Sequence, residues 1–137
     1  LVVFCSLGEV LLERFLRYLM IALKIPPKVL DRLLEDNQIQ NKRVEKLFPS
    51  LTGEKWKVAV KFVSSGSDID FEKVWVFYLK TKKARNMFLH KGNRFVLTSS
   101  MPEEILQNMA PLLDLFVRLH NRYIHERIYL QQLQKTG

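Results

Sequence analysis

Apolar residues recur at three- and four-residue spacing along four long stretches of the chain, the pattern of amphipathic helices. The first stretch runs from Val2 to Lys24. Leu7, Val10, Leu11, Phe15, Tyr18 and Leu19 share one side, and Glu13, Arg14 and Arg17 lie mostly on the other. Pro26-Pro27 ends it, and Pro27 also suits the first position of a following helix. That second stretch, Lys28 to Phe48, carries Val29, Leu30, Leu33 and Leu34, then Val44, Leu47 and Phe48. The polar run Asp36 to Asn41 predicts a break in its middle. Pro49-Ser50-Leu51-Thr52-Gly53 reads as a loop.

Glu54 to Ser64 is ambiguous. Trp56, Val58, Val60 and Phe62 alternate as a strand would, but a lone strand with no partner is not stable. A short helix is the expectation. Ser64-Ser65-Gly66-Ser67 is a link, and Asp68 is the expected N-cap of a long helix reaching His90, with Phe71, Val74, Trp75 and Tyr78 in one stripe. Gly92 suits the left-handed position after that helix. Asn93 to Met101 reads as a loop. Ser100 and Glu103 then form a capping box for a last helix running to about Gln134, with a kink expected at Pro111. The pattern predicts an all-α bundle of four to six helices.

A chain of 137 residues, 47% hydrophobic and 26% charged, suits one folded domain. It starts without Met and in mid-pattern, which points to a piece of a longer protein. Leu1-Val2-Val3-Phe4-Cys5 has the look of a secretory core. It lacks a charged leader before it and a small-residue cleavage site after it. Glu9, Glu13, Arg14 and Arg17 interrupt the run to Leu23, so no membrane span is expected. The single Cys5 excludes an internal disulfide and a Cys-rich zinc site. One thiol fits a reducing, cytoplasmic setting. The net charge of +8 favours a polyanionic partner such as RNA, DNA or an acidic protein surface.

The positive charge is not evenly spread. From Lys80 to Arg94 stand Lys80, Lys82, Lys83, Arg85, Lys91 and Arg94 with no acid. An even spread would put about two or three basic residues there, so this is the footprint expected for a phosphate backbone. Within it, Asn86 and His90 are four apart and share a helix face. Arg85 lies roughly 140° round the axis from His90. The two can meet a ligand in a cleft or across a two-fold axis. His90 also stands where a helix dipole favours imidazolium, and a histidine poised near neutrality can move a proton.

Arg85-Asn86-x-x-x-His90-x-Gly92 at a helix end, followed by a loop and a long apolar-striped helix, resembles the HEPN family (higher eukaryotes and prokaryotes nucleotide-binding). Leu11-Leu12-Glu13-Arg14-Phe15-Leu16 is similar to that family's first core helix. The resemblance is best over about residues 68–125. It implies an antiparallel helical bundle, commonly a homodimer with the Arg and His of both subunits in one cleft. It further implies a metal-independent endoribonuclease with no cofactor. His90 would act in proton transfer, Arg85 would stabilise charge on the phosphorane, and Asn86 would orient the site. Lys80, Lys82, Lys83, Lys91 and Arg94 are the expected RNA-binding residues.

One departure concerns regulation. A toxin branch of the family carries Tyr two residues after the histidine, where its partner modifies it, and this chain has Gly92. That puts an antitoxin of this kind in doubt, while leaving room for another regulatory partner. Other members only bind nucleotides or hold assemblies together, so a non-catalytic nucleotide-binding or dimerising module is the alternative. A basic adaptor for an acidic protein is a third. Arg118-Leu119-His120-Asn121-Arg122-Tyr123-Ile124-His125 repeats the Arg and His pattern inside the last helix. It is read as surface residues on an amphipathic helix. His120 and His125 are poorly spaced for zinc. Trp56 and Trp75 read as core rather than stacking platforms.

Overall fold

The computed structural model describes residues 1–91, 101–126 and 132–134, with the side chains of all but His90 and Lys91. Among the described residues there are seven α-helices and no strand, so the chain is an all-α bundle. Helix α1 is Val2–Ala22, α2 Pro27–Asp36, α3 Gln40–Lys42, α4 Phe48–Thr52, α5 Trp56–Ser65, α6 Phe71–Lys91 and α7 Met101–His120. Two π-helical turns, Arg43–Leu47 and Asn121–His125, extend α3 into α4 and prolong α7. No helix among the described residues is long and apolar enough to cross a membrane.

Helix α1 ends before the prolines. Lys24 takes a left-handed conformation with φ of 61°. Its N–H donates to the Ile21 carbonyl, and the Ile25 N–H donates to that of Met20, closing a Schellman turn. Pro27 opens α2 in its first turn. The break expected over Asp36–Asn41 is present and short, because Arg43 reaches back. Its Nε donates to the Asn37 carbonyl at 2.8 Å, satisfying the open end of α2.

The segment after it differs from the expected loop. Pro49 stands in the first turn of α4, where it has no hydrogen bond to break. The widened turn Arg43–Leu47 directly precedes it and relieves the crowding that its ring would impose on the preceding turn. Gly53, at φ of 74°, then ends the helix.

Glu54 to Ser64 resolves as helix from Trp56 onward. Its buried residues are Trp56, Ala59, Val60 and Val63, a spacing of three and four. The apparent alternation fails because Val58 and Phe62 point outward. Phe62 is instead covered by the Arg122 guanidinium, 3.4 Å above its ring. The cap of α6 is Asp70 rather than Asp68. Its Oδ1 accepts from the N–H groups of Glu72 and Lys73. The expected roles of Gly92 and Ser100 lie outside the described residues, as does most of the stretch expected to continue the last helix to Gln134. Pro111 sits inside α7.

Helix α1 touches α2, α4, α6 and α7, and α5 lies against α6 and α7. Phe71 meets Arg118 and Trp75 meets Phe116, so α6 and α7 run in opposite directions. The core centres on rings from five elements. Trp56 packs edge-on to Phe48 at 5.0 Å and against Trp75 at 5.1 Å, and Trp75 lies 5.0 Å from Tyr78. Both tryptophans are buried, and such ring pairs add to their burial.

Candidate functional site

The buried stripe of α6 changes character along its length. Phe71, Val74, Trp75 and Tyr78 fill the core, and Thr81 and Ala84 continue the buried face with small side chains. Beside these, Lys82 and Arg85 lean toward α1, one turn apart. They border an open groove of about 980 Å³. Its polar lining also includes Glu9 and Glu13 of α1, Gln40 of α3, Arg43 of the π turn, and Lys83 and Asn86 of α6. The volume is in the range of small-molecule sites.

The guanidinium of Arg85 is held from two sides. One terminal nitrogen lies 2.7 Å from Oε1 of Glu9. Nε and the other terminal nitrogen donate to Oδ1 of Asn86 at 3.3 and 3.1 Å. The arginine side chain is only 15% exposed, against 41% for Glu9. Its ion pair therefore sits at a rim, with the carboxylate on the solvent side.

Lys82 approaches the same Glu9 oxygen at 3.9 Å. It also donates to Oε1 of Gln40, which accepts a second bond from the Tyr78 hydroxyl at 3.1 Å. Burial pulls the Lys82 ammonium below its ordinary range, against the opposing pull of Glu9, and neighbouring Arg85 adds to the lowering. Burial likewise pushes the Tyr78 phenol up, with Glu9 adding to it. Tyr78 thus stays a neutral donor. The Cys5 thiol is buried and raised by that burial, which makes it a poor nucleophile.

The residues expected to carry chemistry fall into three groups. Arg85, Asn86, Lys82 and Lys83 border one groove. Lys80 is exposed on α6 and does not line it. The side chains of His90 and Lys91 and the whole of Arg94 lie outside the described residues, although the backbone of His90 belongs to α6.

Glu9, Gln40 and Tyr78 were not among the residues expected at the site. Glu9 left one signal in the sequence, as a charge interrupting an otherwise apolar run. Gln40 and Tyr78 left none, since a glutamine in a polar stretch and a tyrosine in a core stripe have ordinary explanations.

The second Arg and His pattern is tied into the packing. Arg118 pairs with Asp114 at 3.4 Å. Arg122, partly buried rather than on the open surface, lies 3.7 Å from Glu54. The Tyr123 hydroxyl bonds the same carboxylate. His120 packs edge-on against Tyr18 at 6.2 Å. No group of three His, Cys, Asp or Glu among the described residues is placed to hold a metal.

Comparison of the chain with protein-family models, with characterised proteins and with solved structures finds no match.

Proposed function

We propose that this chain is a HEPN-type endoribonuclease that cuts RNA without a metal, at the groove bordered by Arg85. The observation that carries the reading is that Arg85 and Asn86 are joined side chain to side chain in a groove where Lys82, Lys83 and Arg43 outnumber Glu9 and Glu13. In the reaction, His90 takes the proton of a ribose 2′-hydroxyl. The freed oxygen attacks the adjacent phosphorus, the bond to the 5′-oxygen breaks, and that oxygen takes up a proton from a protonated His90. The products are a 2′,3′-cyclic phosphate and a 5′-hydroxyl. Arg85 stabilises the charge that grows on the phosphorane, and Asn86 fixes the guanidinium plane. Lys80, Lys82, Lys83, Lys91 and Arg94 hold the flanking backbone. DNA, lacking the 2′-hydroxyl, is not cut.

The active form in this reading is a cytoplasmic homodimer, in which two-fold symmetry supplies complementary Arg85 and His90 pairs. Support comes from the outer face of α1, where Val3, Val10 and Ile21 are exposed. Light scattering should give twice the 16.2 kDa of the chain, and a monomer at assay concentrations would count against the dimer. The second reading is a non-catalytic nucleotide-binding module, and the Glu9–Arg85 pair favours it, because an arginine already satisfied has less to offer a transition state. Incubation with labelled RNA in EDTA separates the two: the nuclease yields cyclic-phosphate ends, and the module yields binding without cleavage.

A further inference from the structure

Lys82 and Arg85 converge on one atom. Both cations, a turn apart on α6, approach Oε1 of Glu9, at 3.9 and 2.7 Å. Two positive groups aimed at a single oxygen are the arrangement that also holds a phosphate oxygen. A third group lines the same groove. Gln40 is nine-tenths buried, at 9% exposure, and its amide orientation is fixed by its neighbours. Lysine only donates, so the atom facing Lys82 must be the amide oxygen. That oxygen accepts from Tyr78 as well, which leaves the amide N–H groups as the end available to a ligand. The groove therefore offers a guanidinium, an ammonium and an amide as donors, with one removable acceptor among them.

We propose that Lys82 and Gln40, braced by Tyr78, complete with Arg85 a phosphate site for RNA in which the Glu9 carboxylate holds the place of the phosphate. The proposal rests on the RNA reading above and adds that the protein carries its own competitor. Glu9 can yield because it is the more exposed partner, 41% against 15% for Arg85. An ion pair at that exposure is screened by water and salt. A phosphodiester offers two non-bridging oxygens, sharing one negative charge, to three donors, where Glu9 engages Arg85 closely and Lys82 only at a distance. Lys82, drawn below its usual pKa by burial and held up in part by Glu9, keeps an anion beside it when the phosphate takes the place of Glu9.

The test is binding of a labelled 2′-O-methyl single-stranded RNA, which the proposed chemistry cannot cut, across a salt series. Glu9→Gln keeps the shape and removes the charge. It should tighten binding severalfold, with thermal melting confirming the fold. Lys82→Met should weaken binding and flatten the slope of log K against log salt by about 0.7, the value for one lost single-strand phosphate contact. Gln40→Leu should weaken binding without changing that slope, because an amide releases no counterion. If Glu9→Gln does not fold, Glu9→Asp, which draws the carboxylate back from Arg85, should still tighten binding.

Unchanged or weaker binding in a folded Glu9 variant, or an unchanged slope in Lys82→Met, overturns the proposal. If Arg85→Ala still abolishes binding in that case, the RNA reading survives without it. Absence of RNA binding by the parent protein and by Glu9→Gln overturns both. Displacement of the RNA by 5′-AMP more readily than by unlabelled RNA overturns RNA as the occupant in favour of a free nucleotide.

Discussion

Gly8 and Tyr78 meet so closely that a Cβ on residue 8 would lie 2.8 Å from the phenolic oxygen, and nearer still to the ring carbons beside it. The missing side chain on α1 is what lets the fully buried Tyr78 ring of α6 lie against the helix. From there its hydroxyl reaches Gln40. The ring has no free space to retreat into, since Phe4 and Trp75 pack against it. Gly8→Ala should therefore destabilise the fold by about 1–3 kcal/mol, the usual range for overpacking a core. The gain in helix propensity from alanine, about 1 kcal/mol, offsets only part of this. Urea denaturation reads the effect. A midpoint equal to that of the parent protein would mean that the two helices separate freely.

Much of the helical layout was legible because α1, α2, α6 and α7 each carry a periodic apolar face, and burial rewards that periodicity whatever the neighbours are. Where the reading failed, local chemistry had several solutions. Asp68 and Asp70 are equally good caps on paper, and the position of Phe71 in the core decides for Asp70. Pro49 reads as a breaker, but a helix tolerates it in the first turn, and the π turn ahead of it cannot be seen in spacing. The site was half legible. The cluster of cations and the Arg85-Asn86 pair stand next to one another in sequence. Tyr78 stands one turn before Lys82 on α6, but Glu9 and Gln40 come from α1 and α3, and only folding brings them to Lys82 and Arg85.

Lys24 supplies a second test of the backbone. It is the described non-glycine residue with a positive φ, at 61°. A left-handed conformation costs an L-residue roughly 1–2 kcal/mol, and glycine adopts it without that cost. Lys24→Gly gives back part of the gain through the greater freedom of the unfolded chain. The net expectation is stabilisation of about 0.5–1 kcal/mol, visible as a higher melting temperature. A lower melting temperature would mean that the lysine side chain contributes a contact worth more than the strain.

His120 should make stability fall in mild acid. Burial lowers its pKa below the ordinary 6.5, and His125 nearby lowers it further. The unfolded chain therefore takes up a proton at a pH where the folded chain does not. The contribution is fully present above pH 6.5 and is lost as pH falls from there through the folded pKa. Melting temperature measured against pH should drop in that window, and His120→Gln should flatten the drop. An imidazole titration by NMR with its midpoint at or above 6.5 would contradict this placement of His120 against Tyr18.

Cleavage of a labelled single-stranded RNA in EDTA, with analysis of the product ends, tests the proposed nuclease most directly. The parent protein should leave 2′,3′-cyclic phosphates. His90→Ala should lose roughly 10²–10⁴-fold in rate, the range for a lost general acid–base group, while keeping its RNA affinity. Arg85→Ala should be inactive through loss of charge stabilisation. His125→Ala, in the second Arg and His pattern, should cut as the parent does. RNA left intact by the parent protein, or cut at the parent's rate by His90→Ala, would contradict the proposed active site.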